Sequence, residues 1–151
     1  IEIYSDRDKE LWTWENGHVA MGTDEVNVEK LFEISDGMPE YVLPIGSVIG
    51  HVHLESHNLT EYKDFYINNL KLNITSELQS AYFLSHDNYH HHFGMNQWNP
   101  NYTKAKSEIS TGVERIFITV SKDKYEEIFS DREYKKTIVD PNKIEINIIT
   151  T

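Results

Sequence analysis

From Val48 to Glu55 the chain reads Val-Ile-Gly-His-Val-His-Leu-Glu, an alternation of period two. It predicts a β-strand with Val48, Val52 and Leu54 on one face and His51, His53 and Glu55 on the other. The period then changes. Tyr62, Phe65, Tyr66 and Leu70 recur at helical spacing behind Asn58, which can cap a helix, and Glu61 stands where it can answer that cap. Further strands are predicted over Ala81-Tyr82-Phe83-Leu84 and from His90 to Asn96. The order begins again at Gly112. Residues from Gly112 to Val120 are rich in branched and aromatic side chains and read as a strand. Ser121 can cap a helix carrying Tyr125, Ile128 and Phe129, and strands follow at Thr137-Ile138-Val139 and from Lys143 to Ile149, turned by Asp140-Pro141-Asn142. In the last strand Ile144, Ile146 and Ile148 share one face and leave Glu145 and Asn147 on the other. Two tandem units, each starting with a strand, imply an α+β fold. Helices should cover one face of each sheet while the polar-lined face encloses a pocket.

Ahead of Val48 the pattern is weaker. Ser5 to Gly22 is polar and carries tryptophan; Asn27 can cap a short helix over Val28 to Ile34, which Gly37 and Pro39 end. The chain opens at Ile1-Glu2-Ile3-Tyr4 as a strand already under way, so the expectation is a piece of something longer.

Composition narrows the function classes. Lys and Arg number 14 against 25 Asp and Glu, a formal net charge of −11, which repels nucleic acid and anionic membrane alike. Neither is expected as a partner. With 38% hydrophobic and 26% charged residues the chain has material for a core and does not read as disordered. No apolar run approaches the roughly 20 residues of a membrane span, and the cytoplasm is the expected location. Cysteine is absent, which removes disulfides, thiolate metal sites and cysteine nucleophiles.

Histidine is the residue type in unusual supply: His51 and His53 on one predicted strand, His90, His91 and His92 on another, and His18, His57 and His86 besides. Imidazole with a carboxylate suits a divalent first-row metal, and two histidines with one carboxylate is the set used for non-haem Fe(II). His51 can thus hold a metal with a carboxylate from another strand, or be a polar residue on a half-exposed strand. In the run 90–92 alternation points the rings to both faces, so at most two share a pocket. His92 can serve as a general base beside a substrate, since an imidazole titrates near ~6.5. The chain carries no G-x-S-x-G elbow, no phosphate-binding G-x-x-x-x-G-K loop and no G-x-G-x-x-G turn. Tyr82, Phe83, Phe93, Met95 and Trp98 line either a pocket or the core.

Three stretches carry a resemblance: Val48 to Leu54, Leu59-Thr60-Glu61-Tyr62-Lys63-Asp64-Phe65-Tyr66, and Tyr89-His90-His91-His92-Phe93-Gly94-Met95-Asn96-Gln97-Trp98. They resemble the second half of catechol 2,3-dioxygenase-like proteins of the glyoxalase, bleomycin-resistance and extradiol-dioxygenase superfamily. The opening Ile1 to Arg7, with Leu11-Trp12-Thr13-Trp14 and Met21-Gly22-Thr23, resembles the junction between the halves of such proteins. The resemblance weakens after Gly112. It implies the vicinal oxygen chelate fold: paired βαβββ modules forming a cup around a divalent metal, Fe(II) or Mn(II). It further implies that residues 1–47 are the end strand of a preceding module and a linker. Residues 48–151 would be the domain, with one module over 48–100 and a shortened one over 111–151.

By the same resemblance His51 matches the first-strand metal histidine, Glu145 the last-strand metal glutamate, and Glu2 the same glutamate position of the preceding module. His92 resembles the histidine that assists substrate deprotonation. The second metal histidine is missing: the strand that should carry it reads Glu114-Arg115-Ile116-Phe117. The expectation is a half that cleaves an aromatic diol only in the intact protein, paired with the missing N-terminal half or with itself, and inactive alone. The alternative is a degenerate half that binds a small molecule or plays a structural role.

Overall fold

The computed structural model describes residues 5–22, 25–34, 43–105, 107 and 111–151. The predicted opening strand Ile1–Tyr4, Glu2 within it, and the helix-ending Gly37 and Pro39 lie outside the described residues. A two-residue hairpin, β1 (Trp14–Glu15) and β2 (His18–Val19), comes first. Asn16 and Gly17 turn it with φ of 52° and 82°, the left-handed backbone that tight hairpins require. Helix α1 (Val28–Ile34) follows, its Lys30 N–H donating to the Asn27 side chain at 2.9 Å.

The first sheet is built from β3 (Val52–Glu55), β4 (Asn73–Leu78), β5 (Ala81–Ser85) and β6 (Phe93–Asn96), in the spatial order β3-β6-β5-β4. β3 and β6 run parallel, the other pairs antiparallel. A parallel pair needs a long crossover, and α2 (Leu59–Leu70) begins it. Asn58 caps that helix: its side-chain oxygen accepts from the Glu61 N–H at 3.3 Å while its amide donates to the Glu61 carboxylate at 3.2 Å. Lys71, at φ 55°, ends it. Tyr62, Tyr66 and Leu70 are buried on one helix face, against β5 and β6, each stabilising the fold by about 1.5–3 kcal/mol.

The second sheet repeats the scheme with one strand fewer: β7 (Arg115–Val120), α3 (Lys122–Phe129), β8 (Lys135–Val139) and β9 (Glu145–Thr150), ordered β7-β9-β8 with β7 and β9 parallel. Ser121 caps α3 through the Lys124 N–H at 3.2 Å. Ile144, Ile146 and Ile148 are buried, as their alternation predicts. They join Leu54, Tyr62, Tyr66, Leu84, Phe93, Met95, Ile116 and Tyr125 in one core that runs through both units. The α+β class read from the sequence is the class observed.

Some element limits differ from the sequence-based expectation. The first strand starts at Val52, and Val48 is 86% exposed. The strand expected from His90 starts at Phe93, because residues 90–92 form a bend. β4 was not legible: its register shifts between Ile74 and Ser76, which turns Thr75 and Ser76 inward together and breaks the alternation. No helix among the described residues is long and apolar enough to cross a membrane.

A buried carboxylate ties the units together. Asp140 accepts backbone N–H groups of Asn142 at 2.9 Å and Ile144 at 2.7 Å through one oxygen, and the Tyr66 hydroxyl of α2 at 3.1 Å through the other. Burial pushes its pKa up despite these bonds. Replacing Asp140 with Ala strands all three donors, and an unsatisfied buried donor costs about 1–3 kcal/mol. Urea denaturation of Asp140→Ala should show a loss of about 3 kcal/mol or more; a loss below about 1 kcal/mol would show that the clamp is not structural.

Candidate functional site

The helices cover one face of each sheet and leave the other open. On β3 Leu54 turns to the core, which sends His53 to the open face of the first sheet. His53 pairs in register with Gly94 of β6. A Cβ at residue 94 would lie 3.2 Å from the His53 ring, so glycine is what lets the imidazole settle there. The bend at 90–92 then does what strand alternation would not. It brings His91 to the same face, where it is buried, its ring 5.2 Å from that of His53 and 4.2 Å from that of His51. His91 Nε2 lies 3.1 Å from His53 Nε2, and His91 Nδ1 lies 2.7 Å from His90 Nδ1. Thr75 holds the bend, donating to the His90 carbonyl at 2.6 Å.

The stretch from Ser5 to Trp12 closes over this cluster. Asp6 takes His90 Nε2 at 2.9 Å on one carboxylate oxygen and the Tyr89 hydroxyl at 2.8 Å on the other. Trp12 packs edge-on against both rings. Burial pulls the Asp6 pKa upward, but the bonds from His90 and Tyr89 outweigh it and hold the carboxyl below its usual value. Nothing in the sequence pattern pointed to Asp6; its role depends on a contact across 84 positions. His91 is pushed down to about 2, first by burial and then by the neighbouring imidazoles, which resist a further positive charge. It stays neutral, with a lone pair on one ring nitrogen.

His92 goes the other way. Its ring stacks on Tyr89 at 4.9 Å and lines a cavity of about 760 Å³ between the β3 and β7 edges. Val52, Leu72, Phe93, Ile116 and Ile148 supply apolar wall, and His51 stands on the same lining. Burial lowers the His92 pKa, partly offset by a hydrogen bond to the Gly50 backbone. His51 is thus the residue shared by cavity and imidazole cluster. Phe83, Phe93 and Met95 are buried and Tyr82 is partly so, while Trp98 is exposed.

Glu145 lies on the open face of the second sheet, in register with Arg115. Its Oε1 accepts Asn147 Nδ2 at 2.7 Å and Arg115 Nε at 2.9 Å, bonds that hold its pKa down. Arg115 therefore occupies the register position beside this carboxylate, on the strand where the resemblance calls for an imidazole. Among the described residues the group whose donor atoms all lie within 4.8 Å of one another is His51, His90 and His91. Glu145 is not in it, and Glu2 lies outside the described residues. The donors brought together fit a divalent cation through imidazole nitrogen. A set of two imidazoles and a carboxylate ligand is not assembled among the described residues.

No protein-family model matches the chain. It is 34% identical over 117 residues to catechol-2,3-dioxygenase of Bacillus subtilis (strain 168), an alignment that takes in 76% of this chain and 41% of that protein. Over that span the chain is similar to a catechol-2,3-dioxygenase. It spans well under half the length of that relative. Among solved structures, a glyoxylase/bleomycin resistance protein/dioxygenase domain from Frankia sp. EAN1pec superposes with a TM-score of 0.50 at 14% identity, covering 69% of this chain and 91% of that one. The two chains share a fold.

Two outcomes follow. In Gly94→Ala the His53 ring must move by a few tenths of an ångström. The ring resonances of His53 and His91 should shift in NMR spectra while those of His57 stay in place and the fold is kept; unmoved His53 resonances would contradict the close approach. The second concerns acid. Protonation of His91 is disfavoured in the native state relative to an ordinary value of 6.5, so its contribution to stability is complete above pH 6.5 and is lost as pH falls below it. Metal-free protein should lose up to about 1.4 kcal/mol per pH unit below that point, and His91→Gln should flatten the slope by that amount in urea denaturation at stepped pH.

Proposed function

We propose that this chain is a domain of a metal-dependent enzyme that acts on a catechol-like small molecule, by extradiol ring cleavage in the intact protein. The observation that carries the reading is the position of His51, which lies at once on the wall of a largely apolar cavity and within an imidazole cluster. The cavity volume falls in the range usual for small-ligand sites. The similarity to a catechol-2,3-dioxygenase supports the same substrate class.

His51 and its neighbouring imidazoles would hold a divalent cation, Fe(II) or Mn(II) as the resemblance implies, which would supply Lewis acidity. The chain's own residues do the rest. Val52, Phe93, Ile116 and Ile148 exclude water and bury an aromatic ring. His92 is neutral at neutral pH, and its bond to the Gly50 backbone fixes one ring N–H, leaving the other ring nitrogen to accept a proton from a hydroxyl in the cavity. The active form pairs this chain with a further module-bearing half or a second copy, for which the open face of the second sheet, with Phe117 67% exposed, is available.

A second reading has its own support. The Arg115–Glu145 pair satisfies the carboxylate without a metal, which suits a half that binds a small molecule and leaves the chemistry to its partner.

The test uses metal-loaded chain, prepared anaerobically, with calorimetry for binding and absorbance for ring cleavage. Catechol should bind at least 10-fold more tightly than resorcinol, whose hydroxyls are not adjacent, and His51→Ala should abolish the preference. The chain alone should give no cleavage. Equal affinity for the two diols would overturn the reading, and robust turnover by the chain alone would remove the need for a second half.

A further inference from the structure

The imidazoles on the open face are linked through their nitrogens in an order that Asp6 dictates. A carboxylate oxygen accepts, so His90 Nε2, 2.9 Å from Asp6 Oδ1, carries a proton. Neutral His90 then has its lone pair at Nδ1, and this atom faces His91 Nδ1 at 2.7 Å. Two nitrogens that close share one proton. The remaining nitrogen of His91 faces His53 Nε2 at 3.1 Å. One donor atom each of His51, His90 and His91 falls within 4.8 Å of the other two.

We propose that His51, His90 and His91 form an all-imidazole site for a first-row divalent cation, with Asp6 orienting His90 and Glu145 taking no part. The proposal rests on the reading that this face carries the metal, and it can fail separately from the choice of substrate. A bound ion holds imidazole nitrogens at about 2.0–2.1 Å, which sets two of them about 3.3 Å apart in a tetrahedral shell. Moving the two Nδ1 atoms to that separation asks for a shift of roughly half an ångström and a change of tautomer, in which the proton between them moves to His91 Nε2, the nitrogen that faces His53.

The outer contacts are already those of a metal site. His90 donates its far N–H to a carboxylate, the arrangement that fixes the tautomer and raises the basicity of a ligating imidazole. His91 has its far nitrogen on His53, whose ring is seated over Gly94. Donor chemistry selects the class of ion, since imidazole nitrogen suits iron, nickel, copper and zinc, while magnesium and calcium ask for oxygen. Glu145 is held by Arg115 and Asn147 on the other sheet.

The experiment titrates the chain with Co(II), following the visible d–d bands, and measures bound Zn(II) per chain after gel filtration. One ion per chain is expected. His90→Ala and His91→Ala should each weaken binding at least 100-fold, Asp6→Asn about 10-fold, and Glu145→Gln less than 2-fold. Circular dichroism checks each variant; should His91→Ala unfold, His90→Ala, whose ring lies on the partly exposed edge of the cluster, carries the test. Stoichiometric binding that survives His90→Ala, or that Glu145→Gln weakens as much as His90→Ala does, overturns the site. Imidazole-dependent binding without preference for catechol over resorcinol supports the site and sinks only the substrate reading.

Discussion

The parallel pairing of β3 with β6 is the constraint on which the functional face depends. Parallel neighbours cannot be joined by a tight turn, so the chain must leave β3, cross behind the sheet and return. Helix α2 begins that crossing and stays against the sheet because Tyr62, Tyr66 and Leu70 are buried there. The register that results sets His53 against Gly94 and leaves His51, just before β3, and His91, two residues before β6, with rings 4.2 Å apart. A slip by one residue would turn His53 inward and Leu54 outward, so the core itself holds the histidines in place.

The electrostatics of the two open faces differ. On the first sheet imidazoles gather with a single carboxylate, Asp6, at the edge of the cluster, and burial keeps the central ring uncharged. On the second a cation, Arg115, meets an anion, Glu145, and Asn147 completes the carboxylate's contacts. The first arrangement turns several imidazole nitrogens toward one another; in the second the carboxylate is already taken. This asymmetry is why the ligand set that the resemblance implies, His51 with Glu145, is not brought together among the described residues.

Elements whose cause is local were legible. The caps at Asn58 and Ser121, the helical spacing behind them and the Ile144, Ile146, Ile148 alternation all depend on residues a few positions apart, and each is found where periodicity put it. β4 escaped because a bulge turns Thr75 and Ser76 inward together, and polar residues at inward positions carry no hydrophobic signal. The β1–β2 hairpin did have a signal, Asn16-Gly17, but strands of two residues are too short for alternation to register. The histidine run was read as strand because its neighbours are, while tertiary contacts at Thr75 and Asp6 hold it in a bend.

The amino-acid order thus settled the α+β class, the buried stripe of each helix, and the placing of His51 and His53 opposite the apolar face, because backbone periodicity acts over one to four residues. It also carried the likeness to a ring-cleaving dioxygenase. Folding alone chose which imidazoles meet, gave His90 its carboxylate, sent His92 to the cavity and matched Arg115 with Glu145. Apart from the adjacent His90 and His91, those choices join residues 30 to 84 positions apart, and such distances are closed by strand register and packing, to which local pattern is blind.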